Sequence, residues 1–309
     1  MCFKNINVCF KPAYLYCQNY LPLQTCMKKL VLFSLIILGF AACSRKGVKL
    51  QKSHRFSQIL KSKDIDYKFK MAEQYYVNKK YNFAQQLFED LFPYVKGTDR
   101  YEDMYYKLAY CYYYQKDYLN AENYFKTFTE TFPSSAKSEE CEYMRAYTYY
   151  KQSPKPELDQ TNTNKAIGLM QAFINMHPGS PKIKEANNII DLCREKLETK
   201  DFLNAQLYYN LGYFKAAAIT FSGVLDNYPD SKNGDLYKYQ SVRSYFKYAE
   251  MSYPDKQLER FEKVKADCSD FLDRFQGSKY TTEITKINTE TNNLIKNLQN
   301  EQTKKTAQR

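Results

Sequence analysis

The chain has 309 residues, 46 Lys and Arg against 34 Asp and Glu for a formal net charge of +12, and 44% apolar residues. It is long enough to bury a core of its own and too apolar to be a disordered chain. Its 9 Gly and 10 Pro are too few for a turn-rich β protein, and two histidines, His54 and His177, with no GxxxxGK[ST], GxGxxG or HExxH, leave almost nothing for a His-based metal site or nucleophile and argue against an enzyme or a cofactor.

The first feature along the chain is an apolar run, Leu30 to Phe40, preceded by Met27-Lys28-Lys29 and followed by Ala41-Ala42-Cys43. A basic start, a short apolar stretch and small residues before a cut site make an export signal, and the run falls short of the roughly 20 residues a membrane span needs. The small pair ending on Cys43 resembles the lipobox of bacterial lipoproteins, although Phe40 stands where Leu is commoner. In that class of signals the Cys becomes the acylated first residue; the other reading is ordinary cleavage near Ala42. On the lipoprotein reading, residues 27–42 are the signal peptide and residues 43–63 the lipid anchor and a basic tether. No acid occurs from Ser44 to Lys63, so the tether suits anionic headgroups. Residues 1–26 carry four cysteines and no acid and form an upstream extension, with Met27 the expected start. Nucleic-acid binding, the other use of a basic chain, is set aside because the protein is exported.

From Asp64 the apolar residues recur with helical period, and the pattern repeats. A small residue and a Tyr on one helix precede an Ala and a large apolar residue on the next, in the manner of tetratricopeptide (TPR) repeats. The frame falls on Ala72, Tyr75, Ala84 and Phe88; on Ala109, Tyr112, Ala121 and Phe125; on Ala146, Tyr149, Ala166 and Met170; on Ala205, Tyr208, Ala217 and Phe221; and, more weakly, on Val242, Tyr245, Val264 and Cys268. The first-helix small residues are 37 apart except between repeats three and four, where they are 59 apart. The excess is assigned to a loop at Ser153–Thr163 and to an elongated helix from Pro181 towards Leu211. Joints such as Phe132-Pro133-Ser134-Ser135 and Tyr228-Pro229-Asp230-Ser231 stop one helix, and their Ser can cap the next. The fold expected is an all-α solenoid of about five TPR-like helix pairs. Residues 64–180 hold repeats one to three, 181–295 the long helix with repeats four and five, and 296–309 a polar tail that should fray. Cys111, Cys141, Cys193 and Cys268 either form disulfides, as export permits, or serve as small buried hydrophobes, and their helical positions favour the second.

The first helices carry more aromatic residues than one core stripe needs. In repeat two, Tyr105, Leu108, Ala109 and Tyr112 make that stripe, and Tyr106, Tyr110 and Tyr113 make a second. Repeat three offers Tyr143, Tyr147 and Tyr150, repeat one Phe69 and Tyr76, and repeat four Phe202 and Tyr209. The second stripe is either a ladder along a peptide-binding groove or more core. The groove reading assigns Phe69, Tyr76, Tyr106, Tyr110, Tyr113, Tyr143, Tyr147, Tyr150 and Tyr209 to peptide binding, since tyrosine offers a large ring and a hydroxyl with few rotors to freeze. Lys70 and Lys107, beside the stripe, would suit a carboxylate.

A lipobox followed by five TPR-like repeats resembles the outer-membrane protein assembly factor family of BamD. The resemblance is most specific at Glu142-Tyr143-Met144-Arg145, at Asp159-Gln160-Thr161-Asn162-Thr163 and in the long helix into Ala205-Gln206-Leu207-Tyr208-Tyr209. It implies a non-enzymatic lipoprotein held in the outer membrane by lipid on Cys43 and facing the periplasm. Its implied partners are a BamA-like barrel subunit, the other assembly-complex lipoproteins and unfolded outer-membrane proteins, received by their C-terminal aromatic signal. The alternative is a TPR-like lipoprotein that binds glycans or another periplasmic partner. Carboxylate pairs such as Asp64/Asp66, Glu139/Glu140 and Asp270/Asp273 are what an enzyme reading would have to rest on.

Overall fold

The computed structural model describes residues 55–307. The signal run, Cys43 and the upstream extension lie outside them. The chain divides into two compact units, one ending at Met71 and one beginning at Ala72. In the first, residues 55–60 are helical and bury Phe56 and Ile59, so the end of the expected tether is structured: two apolar residues three apart give it a face to bury.

Eleven helices follow among the described residues: α1 (Ile65–Val77), α2 (Tyr81–Val95), α3 (Arg100–Tyr114), α4 (Tyr118–Thr131), α5 (Ser138–Gln152), α6 (Thr161–Met176), α7 (Ile183–Asn210), α8 (Phe214–Asn227), α9 (Gly234–Glu250), α10 (Pro254–Arg274) and α11 (Thr281–Ala307). From α2 to α11 each packs on its neighbours in sequence, and second-neighbour contacts join α5 to α7 and α9 to α11. This is the packing of an α-solenoid, in which contacts between helices adjacent in sequence predominate.

The small and large apolar positions of the predicted frame are the core, whereas of its tyrosines Tyr112 is buried, Tyr75, Tyr149 and Tyr245 are half-buried and Tyr208 is exposed. Ala72, Ala84, Ala109, Ala121, Ala146, Ala166, Ala205 and Ala217 are all fully buried, and Phe88, Phe125, Phe128, Met170 and Phe221 fill the spaces between them. Small residues let paired helices approach, and large ones interdigitate across the pair. The weak fifth frame packs like the others: Val242, Phe246, Phe261, Val264, Cys268 and Phe271 form one cluster that α11 closes with Ile284 and Ile295. The cysteine alternatives resolve the same way, since Cys111, Cys141, Cys193 and Cys268 are buried and unpaired and burial raises each thiol.

The turns explain the repeat length. Lys79, Lys116 and Gly212 hold positive φ just past a first helix, at 57°, 65° and 79°. The next N–H reaches back to Tyr75, Tyr112 and Tyr208 respectively, the six-to-one closure of a helix C-terminus. At the joints between repeats the Ser lies two residues before the N-cap of the next helix. Ser135, Ser180, Ser231 and Ser278 each accept the N–H two residues on, of Lys137, Lys182, Asn233 and Tyr280. Three of them also donate to an acid on the preceding first helix, Ser135 to Glu102, Ser231 to Glu198 and Ser278 to Asp235. The joint thereby ties each repeat to the next.

Two lengths differ from expectation. The long helix α7 has 28 residues, roughly 42 Å, because Pro181 and Lys182 belong to the turn before it. The polar tail does not fray at Lys296: α11 continues to Ala307, with Leu298 packed against the fifth-repeat core.

Candidate peptide-binding face

The core stripe of α3 is buried as the spacing predicts, with Tyr105 and Tyr112 at 5% and 8% exposure. The second stripe divides. Tyr110 and Tyr143 are 7% and 2% exposed, which corrects the expectation that they present open rings. Tyr110 meets Phe125 of α4 edge-on at 5.2 Å, and Tyr143 meets Phe173 of α6 at 5.6 Å, so each ring is drawn against the second helix of its own repeat. Tyr106, Tyr113, Tyr147 and Tyr150 remain half-exposed, as does Tyr76 on α1; Phe69, in the first unit, is half-buried.

These rings touch one another across the repeats. Tyr76 packs on Tyr81 at 5.8 Å, Tyr81 stacks on Tyr114 at 4.4 Å, and Tyr114 packs on Tyr110 at 5.7 Å. The series continues through Tyr113, 6.2 Å from both Tyr110 and Tyr147, to Tyr150 at 5.7 Å from Tyr147. Offset and edge-on aromatic pairs add about 0.5–1.5 kcal/mol each beyond area burial, so the face is held in shape before any ligand arrives. Tyr81 and Tyr114 escaped the sequence reading because they lie off the repeated stripe, at the turns.

The ladder stops at repeat three. Among the described residues no ring contact joins Tyr150 to Tyr209, which instead packs on Phe214 at 5.2 Å and under Arg243. Phe202 is drawn into the core with Phe221 and Tyr237. The loop and long helix that lengthen the third interval interrupt the stacking.

Electrostatics sort the polar groups. Tyr106 and Tyr110 both donate to the Glu140 carboxylate, at 2.8 and 2.5 Å, and burial first, then Glu140, pushes both phenols well up. Lys107, a candidate carboxylate receptor, is already engaged: it lies 2.5 Å from Glu73 and 2.6 Å from Asp103, and Asp103 also meets Lys137 at 2.7 Å. The pairs Glu73–Lys107 and Asp103–Lys137 are each 34 residues apart, close to one repeat, which was the sign of this in the sequence. Burial raises the Asp103 carboxyl, but Lys107 and Lys137 together outweigh it and hold it below the usual carboxylate range. Lys151, at the end of α5, has no acid partner among the described residues and lies 4.9 Å from the Tyr147 ring and 5.8 Å from the Tyr150 ring. Its hydrogen bond to Tyr147 raises the ammonium above its ordinary value, against a smaller pull from burial. Among the described residues the Tyr113 and Tyr150 hydroxyls have no hydrogen-bond partner. The face therefore offers half-open rings, the hydroxyls of Tyr113 and Tyr150 and the Lys151 ammonium.

The segments that carried the family resemblance are structural ties. Arg145 pairs with Glu122 of α4 at 2.9 Å, and Glu142 meets His177 of the next joint at 2.6 Å. Gln160, buried, donates to the carbonyls of Lys155, Pro156 and Leu158 and accepts from Thr163, closing the inserted loop on itself. Lys196 and Lys200 of α7 pin the loop from outside, at Ser153 and at the Leu158 carbonyl.

Of the carboxylates of the enzyme reading, Glu140 is taken by the two phenols and Asp270 by Lys238 at 2.7 Å. Among the described residues no group of three or more His, Cys, Asp or Glu converges as metal ligands, and no helix is long and apolar enough to cross a membrane.

A family model described as an outer membrane lipoprotein, YfiO, matches residues 62–237. No curated protein matches the sequence. Two solved structures of a Podosopora anserina kinesin light chain with nearly identical TPR-like repeats, one of them a point variant, align at 12% identity and a TM-score of 0.29. They cover 67% and 69% of this chain and 95% and 97% of theirs. The solenoid assignment rests on this chain's own helix order and packing.

Proposed function

The chain belongs to the YfiO family of outer membrane lipoproteins, and from that premise we propose that it is a BamD-type subunit of the machinery that assembles outer-membrane β-barrels. Lipid on Cys43 holds it at the membrane facing the periplasm. It docks a BamA-like barrel subunit and the companion lipoproteins of the complex. It receives unfolded outer-membrane proteins by their C-terminal aromatic end on the face of Tyr106, Tyr113, Tyr147 and Tyr150, with Tyr76 at its margin. Tyr110 and Tyr143 brace that face from behind, and Tyr209 lies outside its contact series.

One observation carries the reading: three repeats contribute rings to a single contact series that ends beside the unpaired Lys151. An aromatic side chain would lie among Tyr113, Tyr147 and Tyr150, and the adjoining terminal carboxylate would meet the Lys151 ammonium as a charge-assisted hydrogen bond. The hydroxyls of Tyr113 and Tyr150 would take backbone groups of an extended peptide. Photo-crosslinkers placed at Tyr113 and Tyr150 in cells should capture outer-membrane β-barrel precursors, and purification of the lipoprotein should recover the barrel subunit. Capture of neither would overturn the assignment. Exposed tyrosine rings also suit sugars, and heat of binding with oligosaccharides but none with aromatic-ended peptides would favour the glycan reading.

A further inference from the structure

The fifth repeat breaks the tyrosine pattern in a way that suggests a second site. Its first helix, α9, places Arg243 directly after the small residue Val242, where α3 has Tyr110 after Ala109 and α5 has Tyr147 after Ala146. The Arg243 guanidinium lies over the Tyr209 ring, 4.7 Å from its centroid, and among the described residues its hydrogen bonding is a long 3.5 Å contact to Gln240. Tyr209 packs on Phe214 at 5.2 Å, and Lys215, next in sequence, lies 5.9 Å from the Tyr248 ring. The other cation over Tyr248 is Arg260 of α10, at 4.2 Å, which also donates to Ser252. Among the described residues none of Arg243, Arg260 and Lys215 pairs with a carboxylate. The neighbouring acid Glu250 is taken by Lys247 at 2.7 Å.

Lys107, Lys137 and Lys182 of the earlier repeats, and Lys238 and Lys247 of the fifth, are by contrast each matched by an acid of the chain. Arg243 and Arg260 are half-buried, so part of their hydration is lost with no counter-charge in return. A guanidinium laid on a ring by its face keeps its N–H edge free, and that planar fork fits a carboxylate through two parallel bonds. The rings these cations lie on, Tyr209 and Tyr248, and Phe214 packed on Tyr209, offer apolar contact to the side chains between acids. A bare anion would use the charges alone. A peptide uses both.

We propose that the edge formed by the end of α7, the start of α8, α9 and the start of α10 binds an acidic segment of a protein partner, with Arg243 and Arg260 clamping carboxylates and these rings taking apolar side chains. This site is separate from the tyrosine face of repeats two and three and does not depend on what that face binds.

The test uses the full chain and two fluorescent ten-residue peptides, one alternating Glu and Phe and the other alternating Gln and Phe. Wild type should prefer the Glu peptide by about ten-fold or more, with the preference shrinking as salt is raised. The Arg243→Gln/Arg260→Gln double variant, shown to be folded by its helical circular dichroism, should lose that preference, and the exposed single variant Lys215→Gln should reduce it. Tyr147→Ala should leave it intact. Equal affinity of wild type for the two peptides, or an undiminished preference in both the double variant and Lys215→Gln, would overturn the proposal. So would binding to phosphatidylglycerol vesicles that depends on Arg243 while the Glu peptide fails to bind.

Discussion

Tyr113 of α3 and Tyr147 of α5 hold their ring centroids 6.2 Å apart across the boundary between the second and third repeats. They do not occupy equivalent places: Tyr113 lies four residues after its repeat's small residue, Ala109, and Tyr147 one after Ala146. Neighbouring first helices therefore interleave their rings, which turns two separate stripes into one surface.

Glu140 is the polar partner of that surface. It accepts from Tyr106 and from the buried Tyr110, so Glu140→Ala leaves a buried hydroxyl without an acceptor. Such a loss costs about 1–3 kcal/mol. Urea denaturation should show a fall in that range with an unchanged m-value, and Tyr110→Phe in the same background should recover part of it. An unaltered midpoint for Glu140→Ala would contradict the bonding described.

Gln160 closes the inserted loop through three carbonyls and one hydroxyl. Gln160→Leu keeps the bulk and strands those groups, and should lower stability by about 2 kcal/mol. Lys200→Ala removes a more exposed contact and should cost less than about 1 kcal/mol. Thermal unfolding of both variants ranks them, and the reverse order would count against the network.

Lys116 and Gly212 occupy equivalent left-handed turns with different residues. A side chain in that conformation costs roughly 1–2 kcal/mol. Nothing lies within 4 Å of where a Cβ on Gly212 would sit, so Gly212→Ala should lose stability through backbone strain alone. Lys116→Gly relieves the same strain while loosening the unfolded chain, and should be neutral or slightly stabilising. A large loss at Lys116→Gly would mean that its side chain, rather than its backbone, matters.

The ion pairs predict an acid limb. The Lys238 ammonium holds the Asp270 carboxyl below the usual carboxylate range, against the pull of burial, with Arg274 and Lys263 adding their charge. Asp103 is likewise depressed, its lysines outweighing its burial. A folded-state value below the unfolded one, near 3.9, gives stability that is present above about pH 4 and lost as pH falls through the folded value. The melting temperature of wild type should drop more steeply below about pH 4 than that of Asp270→Asn, which begins lower at neutral pH. Parallel curves for the two proteins would refute the coupling.

The sequence made the core legible because a solenoid repeats it. Ala109 and Phe125 announce their roles by recurring, at Ala146 and Met170 and again at Ala205 and Phe221, with the spacing of a helix pair. The face was only half legible. Periodicity puts Tyr110 and Tyr143 on the same stripe as Tyr106 and Tyr150, but whether a ring turns inward depends on the neighbour it meets. Phe125 and Phe173 are 15 and 30 residues further along the chain. Lys107 was misread for a similar reason, since its partner Glu73 belongs to the preceding repeat. Lys151 gave no signal at all, because its importance lies in having no acid beside it.

The most direct measurement is calorimetric titration of the full chain with a short peptide ending in Phe, compared with the same peptide amidated at its C-terminus. Wild type should bind the free acid more tightly by about ten-fold, Lys151→Gln should abolish that difference, and Tyr113→Ala/Tyr147→Ala should weaken both peptides by about ten-fold or more. Indifference of wild type to amidation, together with unchanged affinity in the tyrosine variant, would contradict peptide recognition on this face.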